Sequence, residues 1–225
     1  MKILIACEES QAVTIAMRGK GHEAYSCDLQ ECTGGHLKWH ICGDVLPLLN
    51  GHCTFRTMDG QTHTVQDRWD MLIAHPPCTY LSNVGSRHFS LRVSSPEKVV
   101  KRWDERAKAV AFFMRFIAAD CQKIAVENPA GYMSTCYRVP DQYINPWMFC
   151  AGPEDTENYT AKRTGLWLKG LPLLKGNGII TEFSNTINGR FPNGKPISWT
   201  ELNHGSVTRS KTFPAVAQAM ADQWG

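Results

Sequence analysis

Residues 2–28, KILIACEESQAVTIAMRGKGHEAYSCD, carry the pattern that decides the fold. The continuous apolar run at residues 2–7 is typical of a strand that is buried on both faces, as in a parallel sheet. Residues 9–20 then place apolar side chains at helical spacing, and two glycines mark the end of this helix. A second strand follows at residues 22–29 and brings Asp28 to its end. A strand, a helix, a strand and an acid in this order predict the opening of a nucleotide-binding α/β sheet.

The same alternation of strand and helix continues along the chain. Further buried strands are predicted at residues 69–74 and 123–128, and helices at residues 95–121 and 213–224. Residues 53–65 alternate strand-forming side chains around Asp59-Gly60, which predicts an exposed hairpin inserted at about residues 51–68. We therefore expect a single α/β domain over residues 1–225, with helices on both faces of its sheet.

The composition is that of an ordinary globular protein, with 225 residues, 43% of them hydrophobic, and a net charge of +3. That charge neither requires nor excludes a nucleic-acid partner. No apolar run approaches the length of about 18 residues that a membrane span needs, so no membrane association is expected. The short apolar run at the N-terminus is followed at once by acidic residues, unlike a signal peptide. The nine cysteines are scattered, so we expect reduced thiols in a cytoplasmic protein.

Polar residues collect where the predicted strands end, which is where open α/β sheets bind ligands. These residues are Cys7, Glu8, Glu9, Ser10, Asp28, Pro77, Cys78, Glu127 and Asn128. Asp28, at the end of the second strand, is placed to bind ribose hydroxyls, and Asp44 to accept a hydrogen bond from an adenine amino group. Alternatively, the two acids only cap turns or helices. The first loop has no glycine pair, so it is not an ordinary dinucleotide-binding loop.

Cys78 follows two prolines that stiffen the end of a predicted strand. Such a cysteine is a nucleophile if its thiolate is stabilised nearby, although most buried cysteines are inert. The presence of Glu127 favours the interpretation of Cys78 as a nucleophile, because a carboxyl group held in a pocket can stay partly protonated and donate a proton to a ring nitrogen. Together the two side chains predict attack on an electron-poor aromatic heterocycle.

Four segments resemble those of the cytosine carbon-5 DNA methyltransferases, and they occur in that family's order. The segment PPCTYLS at residues 76–82 resembles the family's proline–cysteine nucleophile motif, and VENPAGY at 126–132 resembles its Glu-Asn-Val motif. The segment KRTGLWLKGLP at 162–172 is similar to its arginine-bearing strand, and RSKTFPAVAQAMADQ at 209–223 to its last helix. The likeness covers most of the chain, and short phage-borne DNA methylases look closest. It implies the cytoplasm of a bacterial or phage-infected cell.

The resemblance implies a Rossmann-like fold that binds S-adenosyl-L-methionine and methylates carbon 5 of cytosine in DNA. Cys78 would add to carbon 6 of the base while Glu127 protonates or hydrogen-bonds ring nitrogen 3. Asn128 would hold the catalytic loop, and Arg163 would contact the base or Glu127. The cofactor would lie against Cys7, Glu8, Ser10, Asp28, Asp44 and Pro77. A target base in duplex DNA would have to be flipped out of the stack.

Two departures from the family keep alternatives open. The first motif reads ACEESQA at residues 6–12 where the family has Phe-x-Gly-x-Gly, so side chains stand where backbone approaches the cofactor. Glu8 or Ser10 would then bind the amino group of the cofactor. Only about residues 172–205 are available for target recognition. The alternatives are a methylase of single strands or pyrimidine nucleotides, and a catalytically degenerate nucleotide- or DNA-binding protein of the same fold.

Other residue patterns of the chain have functional as well as structural interpretations. The residues Cys32, His36, His40 and Cys42 are of zinc-ligand types, but their spacing is not that of structural zinc sites, and no metal is predicted. His75 either tunes Cys78 or, as we expect, fills a core position. The basic residues from Arg87 to Arg102 either contact phosphates or form a solvated helix face. A cysteine hydrolase is disfavoured, because the sequence shows no matching Cys-His-Asn arrangement.

Overall fold

The computed structural model describes residues 1–184, 189–195, 197, 199–202 and 211–225. The strands are β1 Lys2–Ala6, β2 Glu23–Asp28, β3 His40–Cys42, β4 Cys53–Arg56, β5 Thr62–Val65, β6 Met71–Ala74, β7 Lys123–Pro129, β8 Gln142–Ile144 and β9 Thr164–Lys169. The helices are α1 Ala12–Gly19, α2 Pro96–Ile117, α3 Met133–Cys136, α4 Trp199–Leu202 and α5 Pro214–Trp224.

Seven strands form a mixed, mostly parallel sheet in the order β3-β2-β1-β6-β7-β9-β8. The first five strands in this order, which are β3, β2, β1, β6 and β7, run parallel to one another. The strand β9 runs antiparallel to both β7 and β8. Helices flank the sheet. The predicted α/β class is confirmed, and the arrangement is compatible with a Rossmann-like fold.

Alternate residues of the central strands supply two separate cores, because successive side chains of a strand point to opposite faces. Ile3 and Ile5 of β1 belong to one core, which includes Met17 of α1 and Met220 of α5. The intervening Leu4 and Ala6 belong to the other core, which includes the following side chains of α2 and β9: Phe113, Phe116 and Trp167. The continuous apolar run at the start of the chain thus reflects a strand covered on both faces.

The strands β4 and β5 form an antiparallel hairpin, which turns at Gly60 with a φ of +87°. One face of this hairpin is not exposed. The ring of Phe55 packs edge-on against Tyr25 of β2 at a centroid distance of 5.0 Å and stacks on Trp69 at 6.1 Å. The hairpin therefore extends the core on the α2 side of the sheet.

Some element boundaries differ from the sequence prediction. The first helix begins at Ala12 and not at residue 9, because Cys7 and Gln11 adopt left-handed backbone angles with φ of 59° and 61°. The helix α2 ends at Ile117, four residues before the predicted end. The strands β3 and β8 were not predicted, since three residues are too few to show a period.

The segment at about residues 172–205, predicted as a reduced recognition region, lies partly outside the described residues. Its described first part, residues 172–184, contains neither a helix nor a strand. In the described parts of the chain, no helix is both long enough and apolar enough to cross a membrane.

Candidate active site at the ends of β1, β6 and β7

The neighbouring parallel strands β1, β6 and β7 bring three predicted site segments side by side. They are in register up to Ala6, Ala74 and Val126. The residues that come next along these strands are Cys7, His75 and Glu127. This is the edge at which parallel α/β sheets bind ligands.

His75 and Glu127 form a buried ion pair at this edge. Nδ1 of His75 donates a hydrogen bond to Oε2 of Glu127 over 2.7 Å, and the two side chains are 7% and 14% exposed. The hydroxyl oxygen of Thr212 lies 3.5 Å from the same nitrogen. Nε2 of His75 is buried and has no hydrogen-bond partner among the described residues. His75 does lie in the interior, as expected, but it is bonded to the predicted catalytic acid.

Burial and charge act against each other in this pair. Burial lowers the pKa of His75, but the hydrogen bond and charge of Glu127, with the charge of Glu8, outweigh burial and raise this pKa. Burial raises the pKa of Glu127, but the hydrogen bond and charge of His75, with the charge of Lys162, outweigh it and lower that pKa. Both shifts favour the imidazolium form of His75 and the carboxylate form of Glu127. The lowered pKa of Glu127 does not favour the expectation that this carboxyl group stays partly protonated, because His75 and Lys162 both face it.

Asn128 connects β7 to the segment that carries the predicted nucleophile. Its side chain is buried, and Nδ2 donates to the carbonyl oxygen of Pro76 over 2.8 Å. Pro77 is exposed, and Cys78 is half-buried with its carbonyl oxygen bonded to two amides of the turn that follows. The predicted catalytic residues Cys78, Glu127 and Asn128 thus share the ends of β6 and β7.

Two arginines of α2 hold the segment that follows Cys78. Nε of Arg106 donates to the carbonyl oxygen of Tyr80 over 2.9 Å, and the guanidinium carbon lies 3.3 Å from the ring centroid of Phe89. Arg106 is only 7% exposed. Nη2 of Arg102 donates to two further carbonyl oxygens of this loop, those of Thr79 and Gly85, at 3.4 Å. The sequence did not reveal this role of Arg106, because a cation on an amphipathic helix usually indicates the solvent face.

Glu8 caps the first helix. One carboxylate oxygen accepts the amide hydrogen of Val13 over 2.6 Å, and the other accepts the hydroxyl and amide hydrogens of Thr14. The side chain is buried, and its two oxygens satisfy amides that a helix start leaves unpaired. The expectation that Glu8 binds the amino group of a cofactor is therefore not supported, because both of its oxygens are committed to α1.

Glu9 is the acid that the sequence-based choice of cofactor residues left out. Its side chain is buried, and Oε2 accepts the hydroxyl hydrogen of Thr33 over 2.7 Å. Its second oxygen, Oε1, is buried without a partner in the part of the chain that the structure describes. Ser10 is half-buried, and its carbonyl oxygen lies against Gly34 so closely that a Cβ there would meet it at 2.6 Å. The two adjacent acids looked equivalent in sequence, and only the helix start distinguishes them.

Cys7, Asp28 and Asp44 lie close together at the ends of β1 to β3. Burial, followed by the charges of Asp28 and Asp44, raises the pKa of the Cys7 thiol far above its usual value. Each acid also caps a turn, since Oδ1 of Asp28 accepts the amide hydrogen of Gln30 and Oδ1 of Asp44 that of Leu46. The turn-capping interpretation of both acids is confirmed, and their binding of ribose and adenine stays a prediction.

The structure does not place Arg163 beside Glu127. Arg163 is exposed, and its guanidinium carbon lies 3.9 Å from the ring centroid of Tyr143. Lys162, one residue earlier, is the cation whose charge lowers the pKa of Glu127. It lines a small cavity together with Glu127 and Thr212. Lys162 and Arg163 are adjacent just before β9, and the side chains of successive residues in extended backbone point to opposite sides. A shift of one residue therefore changes which of the two cations faces Glu127.

The cysteine and histidine residues between Cys32 and Cys42 form no metal centre. No group of three or more histidine, cysteine or acidic residues suited to a metal ion occurs in the described ranges. Both ring nitrogens of the buried His40 are bonded, to the Ser26 hydroxyl at 2.8 Å and the Gln30 carbonyl oxygen at 2.9 Å. These bonds fix the loop between β2 and β3.

A wide groove of about 1040 Å³ lies elsewhere, between α5 and the chain after β9. None of the predicted site residues lines it. We therefore assign the chemistry to the strand ends, where the polar groups converge.

Comparisons with known proteins supply no family assignment. No protein-family model matches the chain, and no curated protein matches its sequence.

Proposed function

We propose that the protein transfers a methyl group from S-adenosyl-L-methionine to carbon 5 of cytosine in DNA, through a covalent adduct of Cys78. The observation that carries this proposal is the hydrogen bond from Asn128 to Pro76, which ties the Glu127–Asn128 strand to the cysteine segment. A nucleophile and a carboxyl group at one sheet edge suit attack on a pyrimidine ring. The resemblance of both segments to the cytosine methylases supports the same chemistry.

The residues of the chain have distinct roles in this reaction. Cys78, as a thiolate, forms a bond to carbon 6 of the base, and electron density moves through the ring to nitrogen 3. Glu127 delivers a proton to that nitrogen and later takes it back. After methyl transfer a base removes the proton from carbon 5, and the carbon 6–sulfur bond breaks to release the Cys78 thiolate. Asn128 positions the nucleophile segment through Pro76, and Arg106 holds the loop behind it through Tyr80.

The acids at the ends of β1 to β3 fit the proposed cofactor. S-adenosyl-L-methionine carries positive charge on its ammonium and sulfonium groups, and Oε1 of Glu9 is a buried carboxylate oxygen without a partner among the described residues. In this proposal Asp28 accepts hydrogen bonds from the ribose hydroxyls and Asp44 accepts one from the adenine amino group. When bound, the cofactor supplies an electrophilic methyl group.

A second candidate function is nucleotide or DNA binding without turnover. Two observations favour it: both oxygens of Glu8 are used within α1, and the loop from Cys7 to Gln11 carries side chains where the methylase motif has glycines. A cofactor would meet side chains at this loop. Cofactor binding and covalent chemistry therefore need separate measurements.

A covalent trap tests the proposal directly. The protein is mixed with S-adenosyl-L-methionine and an oligonucleotide containing 5-fluorocytosine, as a single strand and as a duplex. Because fluorine on carbon 5 blocks the final elimination, we expect an adduct that survives denaturant. Cys78→Ala should abolish this adduct, and Cys53→Ala, which removes a half-buried thiol of the hairpin, should leave it intact.

Calorimetric titration with the cofactor separates the two candidates. Cofactor binding together with an adduct supports the methylase. Binding of oligonucleotide without an adduct on either form, or on free nucleotides, would favour the binding protein. An adduct that persists in Cys78→Ala would contradict the assigned nucleophile.

A further inference from the structure

We propose that His75 holds the proton that Glu127 passes to the pyrimidine, so that the two residues act as one proton-transfer unit. This inference rests on the proposed function and adds a residue to it. His75 acts through Glu127, and it is therefore a positioning residue. The sequence favours a core position for His75 and does not predict its pairing with Glu127.

The register of β6 and β7 brings His75 and Glu127 side by side. Ala74 and Val126 are in register, so the residues that follow them are adjacent across the sheet. The resulting distance of 2.7 Å between Nδ1 of His75 and Oε2 of Glu127 is that of a charge-assisted hydrogen bond. A proton moves between these two atoms without any rearrangement of the backbone.

The hydrogen bonds of the ring give this proton a direction. Nε2 of His75 is buried and unpartnered within the described residues, so the described bonds on the ring are all at Nδ1. There the carboxylate of Glu127 is the near partner, and the hydroxyl oxygen of Thr212 lies farther away at 3.5 Å. The proton on Nδ1 therefore faces Glu127.

Charged groups from three elements face His75. Glu8 follows β1 and Glu127 lies in β7, and both favour the imidazolium, while Lys162, just before β9, opposes it. Thr212, before α5, adds a neutral hydroxyl. The hydrogen bond to Glu127 and the charges of the two acids raise the pKa of His75, and the same bond lowers the pKa of Glu127, so the shared proton is favoured on Nδ1 of His75.

The proposed step balances in charge and in atoms. The Cys78 thiolate forms the sulfur–carbon 6 bond, and the electron pair displaced through the ring is received at nitrogen 3. Glu127 gives nitrogen 3 a proton through one carboxylate oxygen and takes one from Nδ1 of His75, so it is a carboxylate before and after. The thiolate and the imidazolium are both consumed, which leaves neutral groups. When the thiolate leaves carbon 6, the proton returns by the same route.

A titration of the histidines tests the stored proton without any substrate. Protein labelled with nitrogen-15 in histidine is titrated by NMR, and the His75 signal is assigned by its loss in His75→Asn. We expect His75 to titrate above the ordinary histidine pKa of about 6.5. In Glu127→Gln it should titrate below that value, because the lowering of the His75 pKa by burial is then opposed by Glu8 alone. A neutral His75 at pH 7 in the wild type, or an unchanged titration in Glu127→Gln, would overturn the inference.

The pH profile of the covalent trap tests delivery of the proton. Asn at position 75 keeps a donor near Nδ1 but holds no exchangeable charge. We expect the His75→Asn adduct to form about 100-fold more slowly, as loss of general acid–base catalysis predicts, with little change in the oligonucleotide concentration at half-maximal rate. The change in rate with pH that arises from titration of His75 in the wild type should be absent from His75→Asn. His63→Asn, on the hairpin, is the matched control and should match the wild type in rate and profile.

The outcomes separate the two proposals. A wild-type rate and pH profile in His75→Asn, with the adduct present, would overturn the role of His75 and leave the methylase intact. An adduct absent from the wild type on every substrate would overturn the proposed function and the delivery step together. A raised His75 pKa with a slow, pH-insensitive His75→Asn reaction supports both.

Discussion

Asn128 donates a hydrogen bond from Nδ2 to the carbonyl oxygen of Pro76 over 2.8 Å, which joins the strand of the proposed catalytic acid to the segment of the proposed nucleophile. Both groups are buried, so the bond is not replaced by water when it is removed. We expect Asn128→Ala to lower the free energy of unfolding by about 1–3 kcal/mol in urea titrations. Formation of the Cys78 adduct should slow as well. Asn50→Ala, which removes an exposed hydrogen bond from the amide of Asp120 to Oδ1, is the control for loss of a bond that water can replace, and an equal loss there would contradict a special role for Asn128.

Arg106 is expected to keep the loop after Cys78 in place. Arg106→Lys retains the charge but loses the Nε bond to Tyr80 and the planar contact with Phe89. We expect the loop to be cleaved by trypsin faster than in the wild type at a protease concentration that leaves the rest of the chain intact. Lys108→Ala, on the exposed side of the same helix, should not change the cleavage rate of the loop. Equal cleavage in Arg106→Lys and the wild type would show that the loop holds its shape without this arginine.

Glu8 is expected to act on the stability of the protein through α1. Glu8→Ala removes the acceptor of three hydrogen bonds at the start of that helix, and we expect it to cost about 0.5–2 kcal/mol of unfolding free energy. Glu8→Gln keeps one acceptor oxygen and should cost less. Chemical denaturation of the three proteins at pH 7 provides the measurement. The capping role would be refuted by an Ala variant as stable as the wild type.

The ion pair of His75 and Glu127 should make the free energy of unfolding fall at both high and low pH. The raised pKa of His75 means that its contribution is complete below the ordinary histidine value and is lost as pH rises through the raised value. The lowered pKa of Glu127 means that its contribution is present above the ordinary carboxyl value and is lost as pH falls through the lowered value. The stability advantage of the wild type over Glu127→Gln should therefore be largest between about pH 4.3 and 6.5, the two ordinary values.

Unfolding free energies of the wild type and Glu127→Gln from pH 4 to 9 check this dependence. The double variant His75→Asn/Glu127→Gln serves as the control, because it lacks both titrating groups. An advantage of the wild type that keeps growing above pH 8 would contradict a raised histidine pKa.

The sequence-based prediction succeeded where a pattern repeats along the chain and was incomplete where a contact joins distant segments. The buried run at residues 2–7 and the stripe of α2 have periods that specify strand and helix directly. The pairing of His75 with Glu127 depends on strand register, which no local pattern in the sequence encodes. The capping role of Glu8 depends on where α1 begins, three residues later than its apolar spacing suggested.

The cation that acts on Glu127 is expected to be Lys162 and not Arg163, and two variants distinguish them. The charge of Lys162 lowers the pKa values of both Glu127 and His75, so Lys162→Met should raise both. Arg163→Ala should leave both unchanged, because Arg163 is exposed and stacks on Tyr143. NMR titrations of the His75 ring and the Glu127 carboxyl group report the two values directly. A shift in Arg163→Ala as large as that in Lys162→Met would return the active-site role to the arginine, whereas a shift in Lys162→Met alone assigns it to the lysine.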